Sequence, residues 1–117
     1  MTESAQKSYV LVFTNPAEGK EEQFNEWYSN THLGEVVAVQ GFISALRFQL
    51  CSKQLAENQP YKYLAIYEVE YGKEEEALNK LQAAAAAFDM PDVADLDNAH
   101  SMIVRSCSSL VFSPNHS

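Results

Sequence analysis

The stretch FNEWYSNTH, Phe24 to His32, gathers the groups in this chain best suited to chemistry: an indole at Trp27, a phenol at Tyr28 and an imidazole four residues later at His32. Histidine titrates close to neutral pH and can both take and return a proton, which suits an isomerase, dehydratase or cyclase. On a helix, His32 shares a stripe with Phe24 and Tyr28 and points toward whatever that stripe buries. The plainer reading is a histidine in the last helical turn, favoured by the helix dipole and bonded to a backbone carbonyl. Both readings stand at this point. A hydroxyl on Tyr28 would hold a carbonyl or enol oxygen where negative charge develops, while Trp27 belongs to the core or to the wall of a binding site.

A second group lies further along. Tyr61, Tyr63, Tyr67 and Tyr71 alternate strictly, so they share one face of a strand, and Tyr63 and Tyr67 are candidates to orient a substrate. Arg47 interrupts an apolar run, and a buried guanidinium needs a partner. Glu68 on the neighbouring strand is the expected one, with a substrate carboxylate as the other option. Phe48, beside Arg47, and Phe88, at the end of a later apolar stripe, complete the candidates for substrate contact.

No cofactor or metal is expected. Cys51 and Cys107 have neither CxxC nor Cys/His spacing and read as buried free thiols. The four glycines stand singly, so there is no phosphate-cradling loop. His32 and Glu35 are an i, i+3 pair, but no second histidine has ligand spacing, and His100 and His116 read as structural or exposed.

The elements that must position these groups follow from periodicity. SYVLVFT, Ser8 to Thr14, is a strand that stops at Asn15-Pro16. A helix follows from Glu18, with Glu21 and Glu22 in its first turn and Phe24, Trp27, Tyr28 and Thr31 on one face. It is expected to break at Gly34, with EVVAVQ as a second short piece ending at Gly41. GFISALRFQLC is strand two and YKYLAIYEVEY, Tyr61 to Tyr71, strand three. KEEEALNKLQAAAAAF, Lys73 to Phe88, is the second helix, with a stripe of Leu78, Leu81, Ala85 and Phe88. The acidic DMPDVADLDNA is a connector with one helical turn, or a lid. HSMIVRSCSSLVFS is strand four, with a bend or bulge around Ser106 to Ser109.

This β-α-β-β-α-β order is an α+β fold: a four-stranded antiparallel sheet with two helices on one face. Strand two is apolar on both parities, so the other face of the sheet also needs cover, and a homodimer through that face would supply it. In such a sheet strands two and four are opposite edges, so Cys51 and Cys107 should not pair within one chain, though they could across a dimer. The 117 residues make one domain, with residues 1–7 and 114–117 as loose termini. A net charge of −8 disfavours nucleic acid and anionic membrane surfaces. With no leader-like or membrane-spanning run, a cytoplasmic location is expected.

The helix signature F-x2-W-Y-x3-H-L followed by Q-G-F-x-S-A-x-R-F resembles the dimeric α+β barrel superfamily, and within it the EthD-like small proteins. Gln40 departs from the pattern, since proline is commoner there. The resemblance implies a ferredoxin-like fold, a homodimer and a pocket for a small hydrophobic or aromatic molecule. Relatives include cofactor-independent monooxygenases, isomerases, cyclases, dehydratases and haem-handling enzymes. The leading expectation is therefore a cofactor-independent enzyme acting on a small aromatic or hydrophobic oxygenated molecule, with a cavity between the sheet and the first helix. His32 would be its acid/base, with Tyr28, Tyr63 and Tyr67 orienting the substrate. A non-catalytic ligand-binding or stress-associated dimer is the alternative, and a haem-binding member the third.

Overall fold

The computed structural model describes residues 6–115. Four strands, β1 (Ser8–Thr14), β2 (Phe42–Gln49), β3 (Tyr63–Val69) and β4 (His100–Arg105), form one antiparallel sheet in the order β2-β3-β1-β4. The β-α-β-β-α-β order is as expected, and β2 and β4 are indeed the edges.

Strand parity decides which side chains meet the helices. On β1, Ser8, Val10, Val12 and Thr14 face them, and on β3 so do Tyr63, Ala65, Tyr67 and Val69; all are buried except Val12, which is partly so. The opposite parity, Leu11, Phe13, Leu46, Phe48, Leu64, Ile66 and Met102, lies on the sheet's other face, where Leu46 is 60% and Met102 41% exposed in the single chain.

The first helical stretch is longer and less regular than expected. It opens as α1 (Glu21–Trp27), widens into a single π-helical stretch over Tyr28–His32, and resumes as α2 (Leu33–Val37). Gly34 does not break it, because its backbone stays helical and the break is replaced by the wide turn. Glu21 and Glu22 occupy the first turn, where carboxylates offset the orphan N–H groups. Phe24 is fully buried, and complete burial of such a ring contributes roughly 1.5–3 kcal/mol.

Helix α3 (Glu74–Ala85) is shorter than the sequence pattern suggests. Its inner stripe is Ala77, Leu78, Leu81 and Ala84, and Ala85 faces out. The small inner side chains let it approach the turn before β2. Gly41 sits there with φ +102°, and a Cβ on it would lie 2.8 Å from the Cβ of Ala77. The buried Glu74 carboxylate ties the first turn of α3 to two strands: it accepts a hydrogen bond from the Ser8 hydroxyl and a bidentate pair from Arg105, at 2.9 and 3.0 Å. The guanidinium and the hydroxyl hold this carboxyl far below the usual carboxylate range.

Strand β4 ends at Arg105 and the chain bends at Ser108, within the stretch where a bend or bulge was expected, and the chain from Cys107 to Asn115 is exposed. Both thiols, expected to be buried, are exposed: Cys51 follows the end of β2 and Cys107 the end of β4. The acidic connector holds one short helical turn, Leu96–Asn98, and an isolated bridge between Pro16 and Ala94. Lys7 is tied down by an ion pair to Glu68 and a backbone bond to the Ser106 hydroxyl. The expectations for residues 1–5 and 116–117 lie outside the described residues.

Candidate functional site

The wide turn is what aims the site. Within Tyr28–His32 the helix takes more residues per turn than an α-helix, which shifts the phase of everything after it. The imidazole of His32 then lies flat against the Trp27 indole, ring centroids 4.7 Å apart at 22°. The ring of Tyr28 meets it edge-on at 5.0 Å and that of Phe88 at 5.9 Å. His32 Nδ1 faces Glu35 Oε1 at 3.5 Å, and neither buried atom has a proper hydrogen-bond partner. His32 is thus not a histidine bonded to a backbone carbonyl. Burial pushes its pKa below the ordinary value, with Glu35 partly opposing, so the imidazole is neutral near pH 7. A carboxylate beside Nδ1 favours the proton on that nitrogen and leaves Nε2 as the base. The side chain keeps 14% exposure, enough for one edge to be reached from outside.

The segment after α3 closes this corner. The indole N–H of Trp27 donates to the Asp89 carbonyl at 2.7 Å, and the Asp89 N–H donates to Glu35 Oε2 at 2.7 Å. Those two bonds strap Phe88 onto His32.

Arg47 does not pair with Glu68. It lies opposite Ala65 in register, on the helix side of the sheet, whereas Glu68 belongs to the other parity and binds Lys7 at 3.2 Å. The Arg47 guanidinium instead stacks over the rings of Tyr28, Tyr63 and Phe24, at 4.6, 5.1 and 5.3 Å. It donates to the Ser29 hydroxyl and to Asn25 Oδ1, both at 2.9 Å, and at 3.4 Å to the Asn25 carbonyl. The half-buried cation thereby latches the edge strand β2 to the helix without a carboxylate, and burial lowers its pKa.

Tyr28, Tyr63 and Tyr67 are all buried behind this latch. Tyr63 donates to Glu21, and Tyr67 makes a long 3.4 Å bond to the Tyr28 hydroxyl. Burial raises the pKa of Tyr28 and, much more, of Tyr67, so both remain neutral phenols. With Phe24 they fill the space between sheet and first helix, where a cavity was expected. Concavities elsewhere include one of about 730 Å³, lined by Asn15 and by residues 50–54 and 57–62, and a more open one along the outside of α3.

Of the expected site residues, the structure brings together Trp27, Tyr28, His32 and Phe88. Arg47, Tyr63 and Tyr67 lie on the far side of Tyr28. Phe48 is separate, pairing with Leu64 on the other face of the sheet. Glu35, Asn25 and the Asp89 backbone complete the site and were not expected there. The i, i+3 spacing of His32 and Glu35 is visible in the sequence, but a helix break at Gly34 would have separated them. Among the described residues no cluster of three or more His, Cys, Asp or Glu side chains is placed to hold a metal ion. No helix of the described residues is long and apolar enough to cross a membrane.

The β-α-β-β-α-β order and the strand order β2-β3-β1-β4 are those of the ferredoxin-like fold. An Arabidopsis thaliana protein of solved structure matches 92% of this chain and 99% of its own at 14% identity, with a TM-score of 0.59. An EthD family protein from Bacillus halodurans matches 84% of this chain and 96% of its own, also at 14% identity, with a TM-score of 0.56. A Shewanella loihica protein carrying a provisional monooxygenase name matches 94% of this chain and 100% of its own at 14% identity, with a TM-score of 0.53. At such identities the likeness is one of fold alone. No family model matches the sequence, and no curated protein does.

Proposed function

We propose that this chain is a cofactor-independent enzyme, working as a homodimer through its apolar sheet face, that moves a proton on a small aromatic or hydrophobic oxygenated molecule. The observation that carries this reading is the pair of orphaned atoms, His32 Nδ1 and Glu35 Oε1, walled in by Trp27, Tyr28 and Phe88. A buried polar pair left without good hydrogen bonds costs stability, and such groups collect where function needs them. Neutral His32 takes a proton from carbon or oxygen of the substrate at Nε2, and Glu35 stabilises the imidazolium that results. The substrate reaches it by displacing Phe88, whose seat depends on two strap hydrogen bonds. Trp27 then offers the substrate a flat apolar face. The monooxygenase name of the Shewanella neighbour is in keeping with a cofactor-free oxygenase as one form of this chemistry.

A second reading has its own support. The volume between the sheet and the first helix is filled, which favours a non-catalytic module that holds a ligand at the dimer face.

The single tryptophan makes the choice measurable. A panel of aromatic lactones, quinones and polyketide-like ketones is titrated against Trp27 emission, and every binder is assayed for turnover. Turnover lost in His32→Ala, with binding retained, supports the enzyme. Full turnover in folded His32→Ala removes His32 from the chemistry, and binding without turnover in the parent chain favours the module.

A further inference from the structure

The connection between β2 and β3 surrounds the concavity of about 730 Å³, which the site at His32 does not use. Its root is firmly held. Leu50 donates to the Lys62 carbonyl at 2.9 Å, and Asn15 brackets Tyr61: its Nδ2 donates to the Pro60 carbonyl at 2.9 Å, and its Oδ1 accepts from the Lys62 N–H at 2.8 Å. The ring of Tyr61 is braced from the sheet side by His100, stacked at 6.4 Å and 21°, and by Phe13 at 5.8 Å. Tyr61 thus gives the concavity a fixed aromatic wall. The loop's own apolar residue does not fill the space, since Leu55 is fully exposed.

The polar part of the lining is largely unspent. Lys62 is taken by Glu21 at 2.6 Å, but Lys53 and Glu57 line the same concavity and, among the described residues, neither has an ion-pair partner. They do not pair with each other either. Gln54 and Gln59 donate through Nε2 to the Cys51 and Ala56 carbonyls, at 3.0 and 2.9 Å, which leaves each Oε1 to accept from something else. The concavity therefore presents one cation, one anion and two carbonyl acceptors around an aromatic plate.

We infer that this concavity binds a small zwitterion carrying an aromatic group, of the chemistry of an aromatic α-amino acid. The ligand's ring stacks on Tyr61, its carboxylate meets Lys53, and its ammonium meets Glu57 and a free glutamine Oε1. Both charges are needed. An aromatic acid alone would bring a like charge to Glu57, and an aromatic amine alone would bring one to Lys53. The volume lies within the range of small-molecule sites, about 300–1,000 Å³. Because Lys53 and Glu57 are exposed, each ion contact is worth at most about fivefold in affinity, so the ligand is held weakly and exchanges freely.

The inference is independent of the proposed function, and the two thiols test it. Cys51 lines the concavity, while Cys107 follows β4 at the opposite edge of the sheet and serves as the control. Alkylation of both by iodoacetamide is followed by peptide mass spectrometry as L-phenylalanine is added, and Trp27 emission reports the His32 site in the same samples. Expected is slower alkylation of Cys51, with Cys107 and Trp27 emission unchanged. Glycine, 3-phenylpropionate and phenethylamine should each need about threefold to fivefold more for the same protection. Lys53→Ala and Glu57→Gln, at exposed positions where the fold tolerates them, should each weaken protection by L-phenylalanine by a similar factor, and Tyr61→Ala by more. Equal alkylation of Cys51 with and without L-phenylalanine overturns the inference. Equal protection by glycine or by 3-phenylpropionate overturns it too, as does protection undiminished in both charge variants. Protection that tracks a change in Trp27 emission puts the ligand at His32 and overturns it likewise.

Discussion

Replacing Arg47 with methionine tests whether a stacked guanidinium, rather than an ion pair, fastens the β2 edge to the helix. Methionine keeps most of the apolar stem, so the loss is confined to the charged head. That head makes two bonds at 2.9 Å to Ser29 and Asn25, a longer one at 3.4 Å, and lies within about 5 Å of three ring centroids. Hydrogen bonds from a charged donor are each worth about 1.5–3 kcal/mol when buried, and partial exposure here reduces that to about 0.5–1. Stacking of a half-exposed cation adds about 0.5–1 kcal/mol. Arg47→Met should therefore cost about 1.5–3 kcal/mol, or about 5–15 °C in melting temperature for a domain of this size. Urea unfolding of Arg47→Met, Asn25→Ala and the double variant should give a coupling of about 1 kcal/mol between the two sites. The same cycle between Arg47 and Glu68 should give a coupling indistinguishable from zero. An Arg47→Met cost below about 0.5 kcal/mol, or a clear Arg47–Glu68 coupling, would refute the reasoning.

Three further expectations follow from the packing and the charges. Gly41→Ala should destabilise the fold by at least about 2 kcal/mol in urea, since it combines an unfavourable positive φ with a Cβ placed 2.8 Å from Ala77; a neutral result would mean that α3 shifts freely. Glu74 has its folded pKa depressed, so its stabilisation is complete above the unfolded value near 4.5 and drains away as pH falls below it; the urea midpoint should drop between pH 5 and 3 in the parent and much less in Glu74→Gln. His32 also has a depressed folded pKa, but as a base: the unfolded chain binds the proton more readily, so stability holds above about 6.5 and declines as pH falls from there toward the folded value. His32→Gln should flatten that upper part of the profile, and Trp27 emission, quenched by a stacked imidazolium, should lose its titration in the same variant.

Most of the fold was legible because strand alternation and helix spacing are set by burial. Tyr63, Ala65, Tyr67 and Val69 alternate with Leu64, Ile66 and Glu68 as the two faces of β3 require, and Asn15-Pro16 ends β1 where it should. The site was legible only in part. Phe24, Trp27, Tyr28 and Thr31 fit a helical face whether or not the turn widens after Trp27, so periodicity is blind to the π-helical stretch. The partner of Arg47 depended on register parity, because a shift of one residue exchanges the faces of the sheet. Ala84 rather than Ala85 faces inward on α3, an ambiguity inherent in a run of five identical residues. The exposure of Cys51 and Cys107 follows from where their strands end, which composition does not reveal.

The widened turn at Tyr28–His32 also makes this helix sensitive to length in a way that substitutions do not probe. A π-helical stretch behaves as one residue inserted into an α-helix, and each α-helical residue turns the chain by 100°. Removing a single residue, such as the partly exposed Thr31, would let the helix close regularly and keep the downstream phase, whereas closing the same five residues as a regular α-helix would rotate everything downstream by about that angle. Val36, now 4% exposed, would swing out of the core, and Glu35 would leave His32. The count of residues between Tyr28 and Glu35 is therefore itself a structural specification, kept by no single side chain.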